Sequence, residues 1–178
     1  ASRAAPELLA AIAAAAVPRL RDFNPQNLAN TVWAFATASR AAPELLDAIA
    51  TAAVPRLRDF NPQALANTVW AFATAGHAAP ELLDAIATAA VPRLRDFNPQ
   101  DLANTVWAFA TAGHAAPELL DAIATAAVPR LHDFIPQALA NTVWAFATAG
   151  HAAPELLDAV AAAAVPRLRD FNPQALAN

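Results

Sequence analysis

Apolar side chains recur along this chain with the 3.6-residue rhythm of helices, and the helices themselves recur every 37 residues. In one copy, Leu65, Val69, Phe72 and Ala73 share a stripe with Ala66 and Trp70 beside it, and Ala64, Asn67, Ala71 and Thr74 form the opposite stripe. This is the pattern of a helix packed along one side. Asn61-Pro62 predicts its start, because Asn is a preferred N-cap and Pro suits the first helical position, where its missing N–H is not needed. Gly76 predicts its end, as a residue free to take positive φ. A second helix opens at Pro80-Glu81, carries Asp84 in its first turn, and runs through Leu83, Ile86, Ala87 and Ala90 to Arg93 and Arg95. Pro92 lies late in this helix and removes an internal hydrogen bond, so a kink or break is expected there. The two helices of a unit are called A and B below.

Phe23, Phe60, Phe97, Phe134 and Phe171 mark the 37-residue period, each followed within two residues by Pro-Gln. The expected organisation is a single repeat array. Residues 1–22 are helix B of a truncated repeat, 23–59, 60–96, 97–133 and 134–170 are four complete repeats, and 171–178 start another. One hairpin cannot bury its own apolar face, so units must stack. The fold expected is all-α, a right-handed α-solenoid of antiparallel helical hairpins. Alanine at many contact positions allows close helix approach, while Trp70, Phe72 and Phe60 supply bulk. Removal of Trp107, taken as buried, is expected to cost about 3–5 kcal/mol. Neither end shows the polar outer face of a capping unit, so head-to-tail self-association is expected.

Composition narrows the chemistry. Of 178 residues 57% are hydrophobic, much of that alanine, with only three glycines, which favours helix. There is no cysteine, hence no disulfide and no thiolate. The longest apolar stretch, Leu8 to Val17, is too short to span a bilayer and lacks a signal-peptide layout, so no membrane segment and no targeting segment are expected. All eleven basic residues are Arg, and the net charge of −4 argues against non-specific polyanion binding. His77, His114 and His151 occupy equivalent loops about a helix spacing apart, too far to share one zinc ion. Every potential acid or base recurs, without a unique nucleophile or phosphate loop. The sequence therefore predicts no catalytic residues, no metal and no cofactor.

Pro62-Gln63 followed by Leu65-Ala66-Asn67-Thr68-Val69-Trp70-Ala71-Phe72-Ala73 recurs as Leu28 to Ala36, Leu102 to Ala110 and Leu139 to Ala147. This block resembles the core of the octotricopeptide repeats and of the related 37-residue heptatricopeptide repeats. Tetratricopeptide units have a 34-residue period and a Trp-x-x-Leu-Gly-x-x-Tyr pattern that is missing here. The resemblance implies sequence-directed binding of single-stranded RNA, one nucleotide per repeat, in a chloroplast or mitochondrion.

The residues offer candidates for that role. Asn30, Asn67, Asn104 and Asn141 lie on the polar stripe of helix A, where each could pair with base edges as donor and acceptor. A structural Asn ladder is the competing reading. One helix A position varies between copies: Asn27, Ala64, Asp101, Ala138 and Ala175. Read as base-facing, it makes the Ala64 and Ala138 units prefer the same base and Asp101 select a base presenting donors. As the third helical position, Asp101 could instead complete a capping box. Arg56, Arg58, Arg93, Arg95 and Arg130, with Arg167 and Arg169, end successive B helices. They could meet phosphates or merely complement the helix dipole. His132 replaces one such Arg and Ile135 the capping Asn, so that junction is expected to be less stable. Ser39-Arg40 replaces Gly-His once. Phosphate contacts would make binding fall steeply with salt. An apolar groove for an extended peptide would not, and a protein-binding scaffold or a consensus-like engineered array without a retained target are the other readings.

Overall fold

The computed structural model describes residues 4–38 and 42–174, and all regular structure among them is helical. Helices α2 (Pro25–Thr37), α4 (Pro62–Ala75), α6 (Pro99–Ala112) and α8 (Pro136–Thr148) are the A helices. Helices α1 (Ala4–Ala16), α3 (Pro43–Ala53), α5 (Pro80–Ala90), α7 (Pro117–Ala127) and α9 (Pro154–Ala164) are the B helices. The Ser39-Arg40 and Ala175 variations lie outside the described residues.

Local sequence explains the element ends. The Asn24, Asn61 and Asn98 side chains accept from the N–H of residues 27, 64 and 101 at 2.8, 2.7 and 2.8 Å. Each caps one of the orphan donors of an A helix. Ile135 has no such bond and its side chain is 55% exposed. Restoring the cap with Ile135→Asn is expected to raise stability by about 1 kcal/mol, seen as a higher thermal midpoint; an unchanged or lower midpoint would contradict this account. At the other end, Gly76 takes φ +62°, and the N–H groups of Gly76 and His77 return to the carbonyls of Ala73 and Phe72. The left-handed residue lets these last carbonyls find donors.

The expected break at Pro92 takes a specific form. Helix α5 ends at Ala90 and tightens into a 3₁₀ turn, Val91–Asp96, with Pro92 in its first turn. There the proline's absent N–H costs no bond. The same switch occurs at Val17–Asp22, Val54–Asp59, Val128–Asp133 and Val165–Asp170. Each turn then leads directly into the next A helix.

The structure is an α-solenoid in which consecutive elements pack on their neighbours. Successive A helices lie against one another along their length, whereas successive B helices touch only slightly. The A helices thus form the more closely packed layer, while each B helix meets the preceding unit mainly through that unit's 3₁₀ turn. Each interior A helix is therefore covered on three sides. Leu65, Val69 and Phe72 form the buried back against helix B. Ala64, Thr68 and Ala71 face the preceding A helix and Ala66 the following one; all four are buried. The ends of the row identify these flanks. In α2, with no A helix before it, the equivalent Asn27 and Ala34 are exposed; in α8, the last A helix described, Ala140, the equivalent of Ala66, stays buried, while Ala147, two turns along the same side, is exposed. Small flanking residues let the A helices approach closely. Likewise Leu8 and Leu157 are exposed where their interior counterparts Leu82 and Leu83 are buried, because no neighbouring unit covers them.

Polar ties join the units. His77, His114 and His151 each place Nε2 2.7 Å from an Asp Oδ1 of the preceding B helix, on Asp47, Asp84 and Asp121. Their rings also pack near Phe72, Phe109 and Phe146.

Candidate nucleic-acid interface

The fourth side of each interior A helix is open. At 100° per residue, Gln63, Asn67, Trp70 and Thr74 fall within about 60° of one another, and none of the four is buried. The same set recurs as Gln26, Asn30, Trp33 and Thr37, as Gln100, Asn104, Trp107 and Thr111, and as Gln137, Asn141, Trp144 and Thr148. Because the A helices stand side by side, the four stripes form one continuous open face, the groove.

Indoles run along one edge of it. The ring centroids of Trp70 and Trp107 are 6.3 Å apart and those of Trp107 and Trp144 6.4 Å, with the planes tilted by 32° and 31°. Trp33 at the first A helix is 45% exposed. Beside the ladder, Gln26 Nε2 donates to Asn30 Oδ1 at 2.9 Å and Gln100 Nε2 to Asn104 Oδ1 at 2.8 Å. No charged side chain belongs to an A helix except Asp101, which is buried, so the floor of the groove is neutral.

The four asparagines named from sequence lie on this face: Asn30 is exposed and Asn67, Asn104 and Asn141 are half-buried. The varying position does not join them. Ala64 and Ala138 are each 1% exposed and Asp101 5%, sealed against the preceding A helix. They cannot face a base, and Asn27 is open only because nothing precedes α2. The reason is rotational: the residue three before each Asn turns about 60° toward the neighbouring helix, whereas Gln, four before, stays on the open face.

Asp101 instead serves its own helix. Its N–H donates to Asn98 Oδ1 and its carboxylate accepts from the Asn98 N–H at 3.4 Å, a reciprocal cap. Burial pushes the carboxyl above its ordinary value of 3.8, and the bond from Asn98 opposes that rise. A raised folded value means that the native state holds the proton more tightly than the unfolded chain does. Stability from this group is therefore present below pH 3.8 and lost as pH rises through the folded value. In a denaturant series across the acid range, Asp101→Asn should lack this component of the loss; identical pH profiles for the two proteins would refute the assignment.

The arginines are also redirected. Arg56 donates to the Phe23 carbonyl at 2.7 Å and Arg130 to that of Phe97 at 2.8 Å, while Arg93 reaches the Arg58 carbonyl at 3.4 Å. These guanidinium groups tie one unit's 3₁₀ turn to the previous one, which answers carbonyls that have no helical partner. Arg56, Arg93 and Arg130 therefore have a structural role, each through one or two of the five guanidinium N–H donors. Arg58 and Arg95 stay exposed, each beside an aspartate in sequence.

Sequence patterning did not single out Gln63 and its equivalents, and it placed Trp70 beside the core stripe. The signal was present as an invariant i, i+4, i+7, i+11 set, but an indole at helical spacing is more often core than groove.

Fold and groove together define a class: a helical-repeat protein with an open, amide- and indole-lined face. A family model for the RNA-editing substrate-binding complex 6 protein matches residues 4–177, and the chain belongs to that family. No curated protein matches the chain. The family agrees with the expectation of an RNA-related helical protein. Among the described residues no helix is long and apolar enough to cross a membrane.

Proposed function

We propose that the groove binds single-stranded RNA at one nucleotide per repeat, in the manner of the octotricopeptide and heptatricopeptide proteins that the repeat resembles, and that the chain acts by binding rather than by catalysis. The RNA-editing substrate-binding role named for the family supports this reading, as does an organellar setting such as the mitochondrion that the resemblance implies. The observation that carries it is the indole ladder. Its step of 6.3–6.4 Å is close to twice the roughly 3.4 Å rise of a stacked strand. A strand stretched to alternate base and indole therefore advances by one nucleotide per repeat. Stacking on aromatic faces serves single strands and not duplexes, whose bases are already stacked.

A neutral floor changes the expected salt response. With no charged side chain on the open stripe of the A helices, few phosphates are neutralised at the groove floor, and the steep dependence expected from the sequence is replaced by a shallow one. Each phosphate contact contributes a slope of about −0.7 in log K against log salt for single strands. Titration of an eight-nucleotide single strand, followed by indole fluorescence at low and moderate salt, should show quenching and a slope no steeper than about two contacts give. The same sequence as a duplex should leave the fluorescence unchanged. Equal binding of duplex and single strand, or no binding of either, sinks the proposal.

A further inference from the structure

We infer that a strand bound in the groove has no fixed register: the array takes an unstructured single strand whatever the order of its bases. This rests on the RNA-binding reading above, and it departs from the sequence-directed binding that the repeat resemblance implies. A reader of ordered sequence needs units that differ where they touch the bases. Here they differ elsewhere. The one helix A position that changes between copies is sealed at Ala64, Asp101 and Ala138, which are 1%, 5% and 1% exposed, and it opens only at Asn27 at the end of the row. Among the described residues the other departures lie off the A helices, with His132 in a 3₁₀ turn, Ile135 at a cap and Val160 in a B helix. On the open stripe Gln, Asn, Trp and Thr recur without change in all four copies.

The geometry repeats as closely as the sequence. Successive indoles step by 6.3 and 6.4 Å, with tilts of 32° and 31°. The Gln–Asn bond of α2 and α6 joins residues that α4 and α8 carry at the same four-residue spacing, so its chemistry is open to every unit. A strand displaced by one nucleotide therefore meets the same groups one repeat further along, at the same separation. Charge does not lock its position either. Phosphate contacts are what usually fix the register of a protein on nucleic acid, and the open stripe carries no charged side chain to make them. Any base preference that one repeat has is shared by all. A run of that base is then the best ligand, and no mixed sequence exceeds it.

The RNA octamers AAAACCCC and CCCCAAAA, with (AC)4 and (CA)4, hold composition constant while order changes, and A8 and C8 supply the two limits. With the full chain, followed by indole fluorescence, the two members of each reversed pair are expected to bind within about threefold of each other, less than a single base-edge contact discriminates. No mixed octamer should bind tighter than the better homopolymer. Selection from a random octamer pool covers every other order and should yield no mixed consensus. Asp101→Ala gives that unit the alanine that Ala64 and Ala138 supply in two others, and it should leave the ranking of all these strands unchanged. A reversed pair that differs by more than the stated factor, a mixed octamer that outbinds both homopolymers, a mixed consensus, or a ranking altered by Asp101→Ala overturns the inference while single-stranded binding stands. If none of the strands binds, the RNA-binding reading falls as well.

Discussion

Trp107→Ala should lower affinity for single-stranded RNA roughly 5- to 150-fold, the range that corresponds to about 1–3 kcal/mol per stacked base. The argument is positional. Trp107 is the central rung, with Trp70 at 6.3 Å and Trp144 at 6.4 Å, so its loss removes the stacking partner on two sides of the strand. Trp70→Ala and Trp144→Ala should each do less, since each borders one of the two gaps between close indoles, whereas Trp107 borders both. The triple replacement should abolish measurable binding. Trp107→Phe should keep most of the affinity, because a smaller ring still offers a π-face. Fluorescence titration with the remaining indoles, or calorimetry, reads the effect. Wild-type affinity for Trp107→Ala with unchanged circular dichroism would show that the ladder is not the platform.

Phe109→Ala should destabilise the fold by about 3–5 kcal/mol, the range for truncating a large buried aromatic side chain. Phe109 is 1% exposed and forms the back of α6 against helix B. Truncation leaves a cavity that a close-packed alanine surround cannot fill. Trp107→Ala should cost less, since its ring is half-buried against the core instead of enclosed by it. Because each unit contacts only its neighbours, Phe109→Ala should also uncouple the array at that unit, giving a broader or two-stage denaturant transition. Chemical denaturation of the two variants tests both points. A Trp107→Ala loss equal to that of Phe109→Ala would place the indole in the core and remove the groove's main feature.

The two predictions depend on neighbouring residues of one helix having opposite surroundings. The same contrast governs Asn67 and Ala64. Both lie on what looks like a single polar stripe in one helix, yet one borders the groove and the other is sealed. It also governs the arginines: charge at the end of a B helix suggests phosphate, but Arg130 instead meets a carbonyl of the previous unit at 2.8 Å.

Whatever could be read from the chain without coordinates is local or periodic. The Asn-Pro starts, the glycine stops, the interruption at Pro92 and the 37-residue period each follow from a few adjacent residues whose backbone preferences do not depend on distant parts of the chain. The need to stack also follows, since one hairpin cannot cover its own apolar face. Which side of helix A remains open is a property of the assembled fold. Alanine is small enough to sit either in solvent or between two helices, so Ala64 and Ala71 carry no mark of their own. Only the arrival of the preceding A helix, absent from any single repeat, closes that side and leaves the Gln–Asn–Trp–Thr edge as the exposed one.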